Sequence, residues 1–278
     1  MSFTTVVLVW EVLDAFPIAR KAYERVLTQT SNLAQEEVAR NVICLLLWLE
    51  TIMGVKVLQD VSAMERDSTT LSQVIHEADA VHSYVVHGHD GQLPNPKHLL
   101  EDGIPAITAL CGGGRLVDHR FFAFHRDLVA RGVGVIRDNV APLLFNDRLH
   151  VMLLRYKDEV ATLSLSSANP RPAPALLKPH VVRTRTPPED SRVAFVSFPD
   201  SPPISPQCIL GHFERILDFR HHLERVEMEQ PREGQVPKHG IIVFRSAELR
   251  DEAMLNETAL FFRINGHDMW VQLYQPLC

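Results

Sequence analysis

The sequence predicts an α+β protein in which a helical bundle precedes a split β-α-β sandwich. The first half of the chain has apolar residues at helical spacing, and the last third alternates short strands with two helices in the order βαββαβ. A proline-rich segment separates the two parts. With 278 residues, 46% of them hydrophobic, the chain is long enough for one or two domains with ordinary cores.

The first part, residues 1–168, is expected to be an all-α helical bundle. Amphipathic helices are predicted at residues 19–28, 32–53, 55–64, 67–87, 118–131 and 147–160. The helix over 32–53 is apolar nearly all round, which predicts that it is the central helix of the bundle. Gly132 and Gly134 are expected to end the helix over 118–131.

Residues 169–190 form the clearest boundary in the chain. Six prolines and four cations precede the first acidic residue of this segment, Glu189. This composition favours extended, polyproline-like conformations, so the segment is predicted to be a semi-rigid linker. A solvated tether is its simplest role, and a strip that contacts phosphate groups is the alternative.

Residues 191–278 are predicted to form the sandwich. Strands are expected at residues 192–198, 223–229, 239–244, 261–264 and 269–274. Two helices are expected to begin after Ser205 and Ser246, because serine is a favoured N-cap residue. Asn265-Gly266, between the last two strands, is a strong hairpin signal because both residues tolerate a positive φ.

Two short motifs in this part resemble those of the RNA recognition motif family. Ala194-Phe195-Val196-Ser197 is similar to the first-strand signature of that family. Asn265-Gly266-His267, followed by Met269 and Val271, is similar to its last hairpin. The resemblance implies a ferredoxin-like domain that binds single-stranded RNA, with Phe195 in the base-stacking position.

The third predicted strand departs from the family pattern. His239 and Ile241 stand where the family usually has two exposed aromatic residues. The whole arrangement also resembles little-characterised plant proteins that join a helical N-terminal part to such a module. That second likeness implies a fold and no established activity.

Strand alternation divides the predicted sheet into two faces. The face turned away from the helices is expected to carry Phe195, Arg225, Glu227, Glu229, His239, Ile241, Trp270, Gln272 and Tyr274. Trp270 and Tyr274 are candidates to replace the missing third-strand aromatics, since any base stacks on an aromatic ring. His239 is a candidate auxiliary stacking residue, and Lys238 and Arg245 are candidate phosphate contacts.

The charge of this part leaves three hypotheses open for that face. Residues 190–278 contain nine Lys or Arg against thirteen Asp or Glu, a net charge of −4. Proteins that bind single strands usually follow the phosphates with a positive groove. The ligand is therefore predicted to be single-stranded RNA or, alternatively, a protein partner, and the third hypothesis is that the rest of the chain covers the face.

Composition argues against membrane and secreted classes. A net charge of −6 gives no general attraction to nucleic acid or to anionic membranes. No uncharged stretch reaches the ~20 residues of a membrane span, and no basic region precedes the first apolar run as in a signal peptide. The four cysteines lack a C-x-x-C pair, which predicts reduced thiols in a cytoplasmic or nuclear protein: Cys44, Cys111, Cys208 and Cys278.

No motif predicts catalysis, a cofactor or a metal site. The glycine-rich segment at residues 111–115 lacks the Lys-Ser/Thr end of a phosphate-binding loop. One group of three histidines and an aspartate matches no zinc spacing: His82, His87, His89 and Asp90. The sequence therefore predicts a binding protein without enzymatic activity.

Overall fold

A computed structural model describes most of the chain. The described residues are 2–29, 33–65, 68–88, 103–112, 117–162, 170–185, 187–198, 202–216, 222–231 and 233–275. An N-terminal helical region is followed by a C-terminal antiparallel sheet, so the predicted α+β class is confirmed.

Ten helices are described in the N-terminal region. They are α1 (Val9–Ala15), α2 (Pro17–Gln29), α3 (Leu33–Met53), α4 (Val57–Ala63), α5 (Thr69–His87), α6 (Pro105–Leu110), α7 (His119–Phe124), α8 (Arg126–Asn139), α9 (Ala141–Leu144) and α10 (Asp147–Thr162). The prediction that α3 is central is confirmed, because residues 42–49 of this helix are all buried. No helix in the described ranges is long and apolar enough to cross a membrane.

The helix predicted over residues 118–131 is instead two helices. Asp118 caps α7 by accepting a hydrogen bond from the Phe121 N–H, and the chain turns at His125 before α8 begins. Gly132 and Gly134 do not end α8, which continues to Asn139. The prediction of a glycine exit is wrong because helical backbone is available to glycine at a cost of only about 1 kcal/mol.

The first strand of the protein was not predicted. Strand β1 (Ser2–Leu8) pairs antiparallel with β2 (Pro179–Arg185), from Ser2 opposite Arg185 to Leu8 opposite Pro179. Residues 179–185 belong to the segment that was predicted to be a linker. Their extended conformation is confirmed, but they form one strand of a two-stranded ribbon and are not a free spacer.

The C-terminal sheet has five antiparallel strands. They are β3 (Val193–Ser197), β4 (Leu223–Met228), β5 (His239–Phe244), β6 (Ala259–Ile264) and β7 (His267–Leu273), arranged in the order β4-β5-β3-β7-β6. Two helices, α11 (Pro206–Ile216) and α12 (Ala247–Ala253), connect β3 to β4 and β5 to β6. Asn265 and Gly266 turn between β6 and β7 with φ of 51° and 83°, as the hairpin signal predicts.

Two apolar cores lie on the two faces of this sheet. One face packs on α11 and α12 through residues that include Ala194, Val196, Ile242, Phe244, Met269 and Val271. Residues of the other face, among them Phe195 and Tyr274, belong to the same buried cluster as α3, α5 and α8. The helical region and the sheet therefore share one core.

Candidate functional site

The strand register brings the predicted binding residues onto one face of the sheet. Phe195 lies opposite Ile241 on one side and Gln272 on the other. Ser197 lies in the same way between His239 and Trp270. Because paired residues point to the same side of a sheet, the predicted division into two faces is confirmed.

The prediction that this face is open is wrong for most of these residues. Phe195 is 3% exposed, Tyr274 and His239 are 1% exposed, and Gln272 is 5% exposed. The third hypothesis, packing by the rest of the chain, describes them correctly. The physical reason is that α7 and the turn between α7 and α8 bring aromatic side chains of their own against the sheet.

Phe121 of α7 and His125, in the turn after α7, cover Phe195. The Phe121 ring centroid lies 5.3 Å from that of Phe195, and the His125 centroid lies 4.6 Å from it, both in edge-to-face geometry. Tyr274 contacts the other side of Phe195 with a centroid distance of 5.6 Å. Such ring pairs add about 0.5–1.5 kcal/mol each beyond the area that they bury.

Asp118 and His239 join the helices to the sheet by a buried polar contact. The Asp118 carboxylate lies 2.8 Å from His239 Nε2, and the two side chains are 15% and 2% exposed. Burial alone would raise the pKa of Asp118, but the His239 hydrogen bond and charge and the Phe121 N–H lower it well below its ordinary value. Asp118 therefore remains a carboxylate at the interface.

Arg120 and Glu229 form a second polar contact across the same interface. Arg120 donates two hydrogen bonds to the Glu229 carboxylate, at 2.5 and 3.2 Å, and a third to the Val236 carbonyl at 2.7 Å. The Glu229 carboxylate also accepts from the backbone N–H groups of Lys238 and His239. Glu229, predicted to be exposed, is 8% exposed because it is the acceptor for these donors.

Two further contacts hold the sheet against the helices. The Gln272 side-chain amide donates to the Ile52 carbonyl at the end of α3, at 3.2 Å. Arg131 of α8 donates two hydrogen bonds, at 3.0 and 2.7 Å, to Asp190, whose side chain is 2% exposed. Gln272 is thus a structural residue in this conformation, and its amide is not free for a ligand.

Among the described residues, the exposed aromatic ring of this face lies at its margin on the β6 side. Trp270 is partly buried, and the Phe261 ring, opposite it on β6, is 53% exposed. Their ring centroids are 6.4 Å apart. Arg263 follows on the same face and forms an ion pair with Asp268 at 2.9 Å. We call Phe261 and Trp270 the aromatic margin.

The predicted phosphate contacts do not meet these rings. Lys238 and Arg245 are exposed and flank β5 at its two opposite ends. The Lys238 ammonium lies 3.9 Å from the Asp118 carboxylate, and Arg245 donates to the Leu223 carbonyl at 3.3 Å. The sheet therefore does not gather the two cations beside its aromatic residues.

Two clefts open on the β4 side of the face, on either side of Phe124. The smaller, about 290 Å³, is lined by residues that include His119, Arg120 and Glu229. The larger, about 490 Å³, includes Arg131, Asp190, Arg225, Glu227 and Ile241, with the buried His125 in its wall. Most of these charges are paired within the protein, so neither cleft has an excess of one sign.

The sequence analysis missed the covering residues. Residues 119–125 read His-Arg-Phe-Phe-Ala-Phe-His, which places three phenylalanines in six residues of one short helix. A single turn of helix has few positions to bury them in its own bundle. That excess of aromatic residues was the signal that a second surface packs on this helix.

Several candidate sites set aside in the sequence have plain structural roles. His82 is buried among apolar residues, and burial, with the charges of His87 and Arg137, lowers its pKa to about 4. Burial raises the pKa of the Cys44 and Cys111 thiols to about 12. Within the described ranges no three His, Cys, Asp or Glu side chains are grouped to hold a metal ion. Some of the candidate positions lie outside those ranges: His89, Asp90, residues 113–115 and Cys278.

Comparison with known proteins finds no match for this chain among protein-family models, curated proteins or solved structures.

Proposed function

We propose that this protein is a non-enzymatic binding protein that holds a protein partner on the aromatic margin of an RNA-recognition-motif-like sheet. The observation behind this proposal is that, among the described aromatic residues of that face, Phe261 is exposed, with the partly buried Trp270 beside it. Four neighbouring strands of the sheet lie in the order β4-β5-β3-β7. This order agrees with a ferredoxin-like arrangement and supports the resemblance to the RNA recognition motif family.

The local charge favours a protein over RNA at this margin. Arg263, the cation on the same face, is already paired with Asp268, so it is not a free phosphate contact. Proteins that bind single strands depend on unpaired cations along the backbone of the nucleic acid. An exposed phenylalanine beside a partly buried tryptophan and a balanced ion pair is instead typical of the anchor of a protein interface, where Trp and large apolar rings carry most of the binding energy.

Single-stranded RNA is the second candidate, and one observation favours it. The two rings of the aromatic margin are adjacent and the Phe261 ring is exposed, which suits stacking of a base at about 1–3 kcal/mol. The predicted stack on Phe195 and Tyr274 is not available to RNA while α7 and α8 cover them. RNA binding at the margin alone would therefore be weak.

A cross-linking experiment distinguishes these candidates. Phe261 is replaced by photoreactive benzoylphenylalanine, which is close to it in shape, and Tyr156 on the remote helix α10 serves as the matched control position. We expect discrete protein adducts in cells from position 261 that disappear with Trp270→Ala and are absent from position 156. Adducts that nuclease removes would support RNA, and adducts unaffected by Trp270→Ala would contradict the assignment of the site.

An RNA-binding titration is the second test of the two candidate functions. Fluorescent oligouridylate is added to the full chain at low and at physiological salt, with Trp270→Ala as the comparison. For a protein-binding margin we expect no saturable signal, and for an RNA-binding margin affinity that falls steeply with added salt. Thermal unfolding of the variant checks that the loss of one partly buried ring leaves the fold intact.

A further inference from the structure

The ribbon formed by β1 and β2 has one edge that is closed and one that is open. Asn139 of α8 closes the outer edge of β2, because its side chain accepts from the Arg183 N–H at 2.8 Å and donates to the Arg183 carbonyl at 3.2 Å. In the described part of the chain, β1 contacts mainly β2 and α1. Over residues 2–7, the described part of the chain provides no such closing side chain for the outer edge of β1.

The register shows which backbone groups of β1 point outward. Val9 donates to the Lys178 carbonyl across the ribbon, so the odd-numbered residues of β1 bond to β2. The even-numbered residues then turn their N–H and C=O groups away from β2. Leu8 agrees with this, since its N–H bonds to the Glu11 side chain at 2.7 Å and lies opposite Pro179, which has no N–H. Thr4 and Val6 consequently direct their backbone groups to the free edge.

One edge of the C-terminal sheet carries features that prevent strand addition. The edge strand β4 has a register shift between Leu223 and Arg225 and carries the charged side chains of Arg225 and Glu227. Charges, bulges and prolines are the usual devices that protect an edge. Strand β1 has none of them: its sequence is Ser-Phe-Thr-Thr-Val-Val-Leu, and Val6 is 61% exposed.

We propose that β1 pairs antiparallel with β1 of a second copy of this chain, which forms a symmetric dimer with a continuous four-stranded sheet. Because β1 is uncharged, it does not repel the β1 strand of a second copy electrostatically. Two identical antiparallel strands are related by a two-fold axis, so the pairing ends at a dimer. A two-stranded ribbon is stable only when it packs against another element, as β2 does on α8, and two further strands would extend its hydrogen-bonded ladder. The cations of β2, Arg183 and Arg185, do not oppose this pairing, because β2 lies on the far side of β1 from the partner and ~14 Å of separation exceeds the screening length.

The outward groups also fix the register. Only even-numbered residues can exchange hydrogen bonds across the new edge, and the pairing that uses most of β1 sets Thr4 opposite the partner's Val6. The two-fold axis then passes through Thr5, which lies opposite the partner's Thr5 in a pair without hydrogen bonds. The alpha carbons of such a pair are ~4.5 Å apart, within the range that a disulfide spans. This assignment is independent of the aromatic margin.

The oligomeric state tests the proposal. In sedimentation equilibrium at micromolar concentrations we expect a mass of twice 31.5 kDa for the full chain. Val6→Pro should give the monomer mass, since it removes an outward N–H while leaving the bonds of β1 to β2 in place. Val181→Pro is the matched control, because it makes the same change on the closed edge of the ribbon and should leave the dimer unchanged. A full chain that is monomeric, or a Val6→Pro variant that remains dimeric, would overturn the proposal.

Cross-linking tests the register without depending on the proline variant. In a background of Cys208→Ser and Cys278→Ser, Thr5→Cys should oxidise rapidly to a disulfide-linked dimer in oxidised glutathione. Thr4→Cys should react far more slowly, because its partner lies two residues along the strand. Dimer formation from Thr5→Cys no faster than from Val160→Cys, an exposed position on α10, would refute the pairing.

Discussion

Replacement of Gly132 by alanine tests how the sheet and the helices pack together. A Cβ atom at Gly132 would lie 2.1 Å from Trp48 Nε1, 2.5 Å from Trp48 Cδ1 and 3.3 Å from the Tyr274 hydroxyl. Trp48 is 0% exposed, so its indole has no free space to move into. Alanine gains about 1 kcal/mol of helix propensity over glycine, but an overpacked core typically loses about 1–3 kcal/mol, and contacts this short place the loss at the upper end.

Gly134 is a matched control in the same helix. A Cβ there meets nothing within 4 Å, so Gly134→Ala should raise the free energy of unfolding by about 0.5–1 kcal/mol. We expect Gly132→Ala to lower it by about 1–2 kcal/mol once the propensity gain is subtracted. Urea unfolding followed by tryptophan fluorescence measures both. Equal effects of the two variants would refute the close packing of α8 on Trp48 and Tyr274.

Three further changes test the interface and the ribbon. Burial lowers the pKa of His82 to about 4 and that of His125 well below its ordinary 6.5. Between about pH 6.5 and pH 4 the unfolded chain therefore binds protons that these two histidines do not bind in the folded chain, so the free energy of unfolding should fall with decreasing pH by up to about 1.4 kcal/mol per unit for each histidine. His82→Leu should flatten the pH profile from chemical unfolding. Arg131→Ala leaves the Asp190 carboxylate buried without its partner. We expect the free energy of unfolding to fall by an amount near the lower end of about 3–5 kcal/mol, because Arg131 itself is 36% exposed. In a double-mutant cycle, Asp190→Asn should recover part of that loss. Asn139→Ala removes both bonds to Arg183 and should cost about 1–3 kcal/mol, seen as faster amide exchange along β2 with little change in the C-terminal sheet.

Local patterns predicted the elements that depend on nearby residues. The apolar face of α3 and the hairpin at Asn265-Gly266 were found because helix periodicity and turn chemistry act over a few positions. The two faces of the C-terminal sheet followed from alternation alone. Predicting these features requires no knowledge of what packs against them.

Features that depend on distant partners were not predictable in this way. Strand β1 pairs with residues more than 170 positions later, and neither segment alone shows a turn or a partner. The glycine at position 132 does not mark a helix end: it lies inside α8, and Trp48 occupies the space that a side chain would need there. Exposure of Phe195 was misjudged for the same reason, since strand alternation assigns a face and says nothing about what covers it.

The covering of the ring face has an energetic consequence for any ligand that needs it. Phe121 is 1% exposed and contacts Phe195, His125 and His239, so removing it from the sheet loses an amount comparable to the about 3–5 kcal/mol of a Phe→Ala change in a core. An opening free energy of about 4 kcal/mol lowers the apparent affinity of a ligand for the opened face about a thousandfold. RNA that stacks on Phe195 would have to overcome that factor, whereas a partner on the aromatic margin binds without opening the interface. Phe121→Ala should therefore increase oligouridylate affinity only if the RNA site includes Phe195.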